Sequence, residues 1–328
     1  MIITKTPFRI SFLGGGSDLK EFYSRCPGAA LSATINKHMY ISSHRFFEPG
    51  QTRIKYSQTE TVTNVEEIKH RIFRTVLQKF GHTGGLEISS IADVPSGTGL
   101  GSSSAFTVCL LHNYYVRNRT FVTAESLAKE ACEIEIDLLK EPIGKQDQYA
   151  AAFGGLSVYT FHTSGHVSVD KINLPEGFLK ALEENLLLFY TGRTRPAGNI
   201  LEEQKENIAQ NPEKFEYMKN MVELVHQGRD ALYAGELNDF GRLLDKSWLL
   251  KRKMASKVSD PEIDEIYEHA IKNGALGGKL LGAGGGGFLL FYCEQHKQQQ
   301  LRSALSKLRE LDFRFELDGS KVVYVGSE

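Results

Sequence analysis

The sequence predicts an α+β fold in two domains, and three observations carry that expectation. The chain has 328 residues, 41% hydrophobic and 24% charged, which is enough apolar material for a real core, and its length favours two domains or one large one. Strand-like segments come first and helices follow them. The pattern then changes near Leu174 to Gly177, at a proline and a glycine, which divides the chain into residues 1–175 and 176–328.

The elements follow from local pattern. Ile2 to Ile41 reads mostly as strand, and Glu66 to Phe80 as helix. LEISSIADV (Leu86 to Val94) alternates as a strand with Leu86, Ile88 and Ile91 inward. Ser102 to Arg117 has a serine-rich first turn and sets Phe106, Cys109, Leu110 and Tyr114 on one helical stripe. Thr123 to Leu139 is a further helix, and Leu156 to Ile172 a strand pair. In the second half, LLLFY (Leu186 to Tyr190) is a strand and Asn199 to Asn273 is mostly helical, with a helix start at Ser259, Asp260 and Pro261. FLLFYC (Phe288 to Cys293), a Gln- and Lys-rich helix and two short strands complete the chain.

Composition excludes several partners. Lys plus Arg number 39 and Asp plus Glu 40, a net charge of −1, so no global field draws nucleic acid or anionic lipid, and any phosphate specificity must be local. Four cysteines (Cys26, Cys109, Cys132, Cys293) lie far apart with no CxxC pair, the pattern of free buried thiols in a reducing compartment. No run approaches the ~18 apolar residues of a membrane span, and the N-terminus has no signal-like apolar region. A cytoplasmic protein without membrane or nucleic-acid partners is the expectation; monomer and homodimer both stay open.

Glycine is the informative excess. Of 31 glycines, 11 fall in three clusters: TPFRISFLGGGSD (Thr6 to Asp18), VPSGTGLGSSSA (Val94 to Ala105) and KLLGAGGGGF (Lys279 to Phe288). Clustered glycine signals a backbone that something approaches closely. In the middle cluster a strand, a glycine loop and a helix start converge, which aims unpaired N–H groups and the positive end of a helix dipole at one point, an anion site. No lysine lies between Val94 and Ala105, so it is not a Walker loop. Gly282, Gly284 and Gly287 satisfy GxGxxG, but the segment runs into a strand and not a helix, against a dinucleotide fingerprint. The DFG triplet Asp239 to Gly241 has no HRD loop ahead of it and reads as chance.

The three clusters, in this order, resemble the GHMP kinases, the family of galactokinase, homoserine kinase and mevalonate kinase. The resemblance implies an N-terminal domain like domain 2 of ribosomal protein S5 and a ferredoxin-like C-terminal domain, with ATP and acceptor between them. PSGTGLGSSSA resembles the family's phosphate loop, making Pro95, Gly97, Gly99, Leu100, Gly101, Ser102, Ser103 and Ser104 the ATP-binding residues. KLLGAGGGGF resembles the C-terminal glycine motif, which places Gly284 and Gly285 against the acceptor.

GKQDQYAAAFGG (Gly144 to Gly155) resembles the family's GxxDQ element, in which the aspartate faces the acceptor hydroxyl. Asp147 is thereby the catalytic base, a role this chemistry requires; a helix-capping aspartate is the other reading of such a residue. By the same resemblance, Ser103 and an acidic residue of EACEIEIDLLKEP hold Mg2+. Glu135 fits by its spacing to Asp147, while Glu133 and Asp137 point elsewhere on a helix. A solvated acidic face is the alternative. Arg9 matches the arginine of the galactokinase first motif and is available to stabilise an oxyanion or the phosphoryl group. Asp18 matches that motif's sugar-binding aspartate.

Gly15 and Gly16 stand where galactokinase has Glu-His, a cut-back pocket that favours a larger or differently arranged sugar. With IKYSQTE (Ile54 to Glu60) and LLFYTGRTR (Leu187 to Arg195), this resembles the heptose 7-phosphate kinase branch, which phosphorylates the anomeric hydroxyl on the route to GDP-heptose. A small-molecule sugar phosphate is then the substrate, and Arg193 and Arg195, with Lys20 and Arg25 behind, are candidates to clamp its phosphate. Alternatives are a fucokinase-like enzyme acting on an unphosphorylated sugar and a silent family member that only senses sugar or nucleotide.

Overall fold

The computed structural model describes residues 1–194 and 198–326. β1 (Ile2–Leu13) turns through the short α1 (Lys20–Tyr23) and returns as the 18-residue β2 (Gly28–Arg45), antiparallel to it. β3 (Thr52–Lys55), β4 (Thr59–Val62), α2 (Arg71–Lys79), β5 (Leu86–Ala92), α3 (Ser102–Arg117), α4 (Ala124–Cys132), α5 (Gln146–Phe153), β6 (Leu156–Phe161) and β7 (Val167–Lys171) complete the first half. The second half holds α6 (Glu176–Glu184), β8 (Leu186–Tyr190), α7 (Gly198–Gln210), α8 (Pro212–Ala234), α9 (Leu237–Lys251), α10 (Pro261–Lys272), β9 (Ala275–Leu280), β10 (Phe288–Cys293), α11 (Gln295–Ala304), β11 (Arg309–Glu310) and β12 (Lys321–Val325).

β2 is the spine of an eight-stranded sheet. Its first residues pair with β6 and its last with β5, while β1 runs beside most of its length, giving the order β12-β1-β2-β5-β3-β4 with β6 and β7 branching from β2. α3 packs on β1 and β2 and is buried nearly all round from Ser104 to Leu111. The second sheet has the order β11-β8-β10-β9. The first crossover of this strand–helix–strand–strand–helix–strand unit carries α7 to α10, and the second carries α11, a ferredoxin-like arrangement. One apolar core joins the halves: Phe12 meets Phe240 edge-on at 5.4 Å, and Leu13 lies against Gly228 in α8.

Three expectations need correction. The last strand does not stay with residues 176–328: β12 pairs with β1 (Ile2 opposite Val325), and Phe315 bridges Ile35. An uncovered β1 would be an open edge, and β12 closes it. Ile91 is 65% exposed, because two-residue alternation from Leu86 and Ile88 sends it to the other face. The helix expected over Glu66 to Phe80 begins at Arg71, after a 3₁₀ turn at Val65–Glu67. The carboxylate of Glu60 accepts the backbone N–H groups of Lys69 and His70, so the chain enters the helix late.

Pro261 opens α10 behind an Asp260 cap, as the start signal predicts. Cys109, Cys132 and Cys293 are buried thiols and Cys26 is half-buried; all four are free. The DFG triplet lies inside α9 with Phe240 in the core. Among the described residues, no helix is long and apolar enough to cross a membrane.

Ending the chain at Leu317 should expose the β1 edge. The expected outcome is a melting temperature lower by several degrees, since ~1 kcal/mol is worth roughly 2–4 °C in domains of 150–250 residues, together with concentration-dependent association in light scattering. Unchanged melting and scattering would refute the role given to β12.

Candidate active site

The phosphate loop is held by its glycines. Gly97, Gly99 and Gly101 have φ of 74°, 84° and 74°, the left-handed region that disfavours a side chain. At Gly99 a Cβ would also stand 2.3 Å from the carbonyl oxygen of Leu281, and at Gly282 one would stand 2.7 Å from the Cα of Gly99. The first and third clusters thus grip the second: Arg9 N–H donates to Leu100 O (3.1 Å), and Phe288 N–H to Thr98 O (3.2 Å). Gly101 caps α3, whose first turn of Ser102, Ser103 and Ser104 presents N–H groups and hydroxyls.

Beside this loop lies a cleft of about 550 Å³ lined by Met39, Tyr56, His70, Ile72, Val94 and Phe106, with Ser96, Gly97, Ser102 and Ser103 also on its wall. Its apolar and aromatic wall next to an anion-binding helix start suits a nucleotide base. Burial lowers the pKa of His70, which favours the neutral ring there. The sequence reading missed this wall, because Met39, Tyr56, His70 and Phe106 come from four separate segments.

Across the loop, Arg9 forks onto Asp147. Its Nε donates to Oδ1 at 2.7 Å and its Nη2 to Oδ2 at 2.6 Å, while Nη1 donates to Gly99 O at 2.6 Å. Arg9 is buried and Asp147 is 29% exposed, so the carboxylate stays open to the chamber it lines. Each of its oxygens keeps a lone pair beyond the one that Arg9 occupies.

Glu135 is completely buried. It sits in a π-turn, Glu133–Leu138, that continues α4, a widening of the helix that re-aims side chains; Glu133 and Asp137 stay exposed. Its Oε1 accepts from Ser103 Oγ at 2.9 Å and its Oε2 from Gln148 Nε2 at 2.8 Å. Burial pushes its pKa up to about 7, against the hydrogen bonds from Gln148, Ser104 and Ser103. A buried carboxylate with no ion-pair partner among the described residues, bonded to Ser103 at the start of α3, fits a hard divalent cation completed by nucleotide phosphates. No cluster of three or more His, Cys, Asp or Glu side chains placed to hold a metal ion occurs among the described residues.

Asp147 also borders a polar chamber of about 90 Å³, lined by Arg9, Ser11, Asp18, Gln146, Lys251 and Lys279 among others. Asp18 accepts N–H groups from Gly16 (2.9 Å) and Gln146 (3.0 Å), and burial raises its pKa. Gly15 opens to the chamber beside Ser11 and Gln146. The space a side chain at Gly16 would take is filled by Gln204, whose Nε2 lies 2.2 Å from the Cβ position, so the cut-back is partly refilled. Gly284 and Gly285 pack on Val258 instead; Gly282 and Ala283 line the chamber in their place.

Among the described residues the expected cationic clamp is not assembled. Arg193 is ion-paired with Asp260 (3.2 Å) and Glu262 (3.1 Å) and does not line the chamber. Arg195 lies outside the described residues. Arg25 covers the Phe215 ring at 3.9 Å, and Lys20 borders a neighbouring cleft of about 300 Å³. The buried lysines 251 and 279 were not foreseen; Lys279 was visible only as the first residue of the third cluster.

This fold and this arrangement, an anion-binding loop beside a base-sized cleft with an Arg-held carboxylate facing a small polar chamber, define a phosphotransferase. The comparisons narrow the class. Residues 67–155 match the GHMP kinases N-terminal domain and residues 229–310 the GHMP kinases C-terminal domain. A D-glycero-alpha-D-manno-heptose 7-phosphate kinase of Campylobacter jejuni is 31% identical over 98% of both chains. A galactokinase of Pyrococcus furiosus is 26% identical over 96% of this chain and 94% of its own. The solved structure of a D-glycero-D-manno-heptose 1-phosphate kinase from Bacteroides thetaiotaomicron covers all of both chains at a TM-score of 0.82 and 24% identity, a likeness of fold. The chain belongs to the GHMP kinase family, and it is a sugar kinase, a phosphotransferase with an alcohol acceptor.

Gly99→Val should lower ATP affinity at least about tenfold, because the added carbons displace the loop from Leu281 and block backbone approach. Calorimetry checks this beside circular dichroism; unchanged ATP binding in a folded variant would remove Gly99 from the nucleotide site.

Proposed function

We propose that this kinase transfers the γ-phosphoryl group of ATP to the C1 hydroxyl of D-glycero-D-manno-heptose 7-phosphate, giving the 1,7-bisphosphate, with Mg2+ as its cation. The observation that carries the reading is the Arg9–Asp147 fork. It sets a carboxylate between the phosphate loop, through Gly99 O, and the chamber that holds Asp18. The likeness to the heptose 7-phosphate kinase over 98% of the chain supports the choice of acceptor.

Pro95 to Ser104 bind the ATP phosphates through backbone N–H groups and the first turn of α3. Asp18 orients the sugar by accepting from its hydroxyls. Asp147 takes the proton of the C1 hydroxyl as that oxygen bonds to the γ-phosphorus and the bond to the bridging oxygen of ADP breaks. Arg9 fixes the Asp147 carboxylate in place and adds positive charge where the transferring group becomes exposed. Ser103 and Glu135 would hold Mg2+, which neutralises charge on the β- and γ-phosphates.

Three measurements test the reading. Asp147→Asn is expected to lower kcat by roughly 10²–10⁴-fold, the usual worth of a positioned general base, with little change in ATP binding; a loss below about threefold would return Asp147 to a structural role. Glu135→Gln should melt no lower than the parent, because it removes a buried charge, yet require a higher Mg2+ concentration for half-maximal rate; an unaltered Mg2+ requirement would remove Glu135 from the cation site. In a coupled assay the heptose 7-phosphate should exceed the unphosphorylated heptose in kcat/KM by at least about tenfold, since charge-assisted hydrogen bonds to a phosphate are worth roughly 1.5–3 kcal/mol each. Equal values would favour the unphosphorylated sugar.

A further inference from the structure

The acceptor chamber carries positive charge that its own residues do not cancel. Arg9 and Asp147 close on each other. Asp18, the other carboxylate on the chamber wall, already accepts two backbone N–H groups. Against Asp18 stand two ammonium groups, so one formal positive charge is left over. Lys251, at the end of α9, is 7% exposed, and Lys279, on β9, is 5% exposed. Neither forms an ion pair within 4.0 Å among the described residues; Lys251 Nζ donates to Gly15 O (3.2 Å) and Gln204 Oε1 (2.9 Å), and Lys279 Nζ to Phe12 O (3.0 Å).

Their hydrogen-bonding capacity is therefore unfilled. An ammonium has three donors, so among the described residues one N–H of Lys251 and two of Lys279 lack a protein acceptor. Ser11 Oγ, Gln146 Nε2 and Gln204 Nε2, all on buried residues, have no partner among the described residues either. Ser11 and Gln146 share the chamber wall with both lysines, and Gln204 holds Lys251 from behind Gly16. Buried ammonium groups are costly unless a counter-charge meets them. Burial brings the pKa of Lys251 down to about 8, opposed by Asp18, and that of Lys279 down to about 7, helped by the charges of Lys251 and Arg9. A bound dianion would restore full charge on both.

We propose that Lys251 and Lys279 form an anion seat in the acceptor chamber that takes a phosphate monoester carried by the acceptor, with Gln204 holding the Lys251 ammonium in place. The inference rests on the phosphorylated-acceptor reading above and supplies the residues that reading leaves unassigned. The transferring phosphoryl group has the same chemistry, but its seat is the glycine loop and the start of α3. Lys251 stands instead with Gly15, Gln204 and Asp18, on the sugar side.

Calorimetry without nucleotide separates the two sources. The parent should bind the heptose 7-phosphate at least tenfold more tightly than the unphosphorylated heptose, and in Lys251→Met and in Lys279→Met that preference should fall below threefold. Circular dichroism confirms folding, with Lys251→Gln and Lys279→Gln as polar second variants. A preference retained in all four variants overturns the seat and moves the phosphate elsewhere, for instance to the Lys20 cleft. So does an equal loss of kcat on both sugars with the preference intact, which assigns the ammonium groups to the transferring phosphoryl group. If the parent shows no preference, the acceptor reading fails by itself and inorganic phosphate becomes the probe. A melting temperature raised by phosphate over chloride at equal ionic strength in the parent, and not in the methionine variants, then supports the seat; no rise overturns it.

Discussion

The bidentate bond between Arg9 and Asp147 is the constraint on which the rest of the site depends. It joins three elements that are remote in sequence: β1, the start of α5, and, through Gly99 O, the phosphate loop. Charge-assisted bonds of this kind contribute roughly 1.5–3 kcal/mol each, and the planar guanidinium adds direction that a lysine would lack. Its position on β1 matters, because Arg9 pairs with Thr34 of β2 on one side and donates its backbone N–H to Leu100 O on the other. A residue whose backbone is held on both sides is a rigid mount, and chemistry that works by positioning needs one.

The second constraint is contact without side chains. Gly99, Gly282 and Gly287 bring the backbone of the first half against that of the second at distances a Cβ would forbid. Hydrogen bonds from Phe288 N–H to Thr98 O and from Gly287 N–H to Arg193 O tie the same region together. The phosphate loop is therefore shaped by β9 and β10 as much as by the strand and helix that flank it. This explains why the third cluster runs into a strand: it shapes another loop's backbone, and no helix dipole of its own is required.

Buried charge sets the division of labour around this frame. Glu135 on one side of the loop lacks a cation, and Lys251 and Lys279 on the other lack an anion. A ligand of the opposite sign offsets the cost of burying each. Opposite deficits lying apart keep the site from neutralising itself, and among the described residues on the chamber wall the fork on Asp147 is the one closed ion pair.

Local pattern alone is enough for most of the elements and for the chemistry of the loop. Glycines at 97, 99 and 101 with serines at 102 to 104 are readable because left-handed turns and helix starts select those residues within a few positions. Asp147, Glu135 and Arg9 were legible only through family resemblance, since no local rule distinguishes a base from a cap. Tertiary structure alone decided where β12 goes, because KVVYV (Lys321 to Val325) pairs as well with one open edge as another. It alone buried Lys251 and Lys279 in one chamber, tied Arg193 to Asp260 and Glu262, and turned Ile91 outward. Those outcomes depend on which surfaces meet across long sequence separations, and a side chain's charge or periodicity carries no record of what will face it.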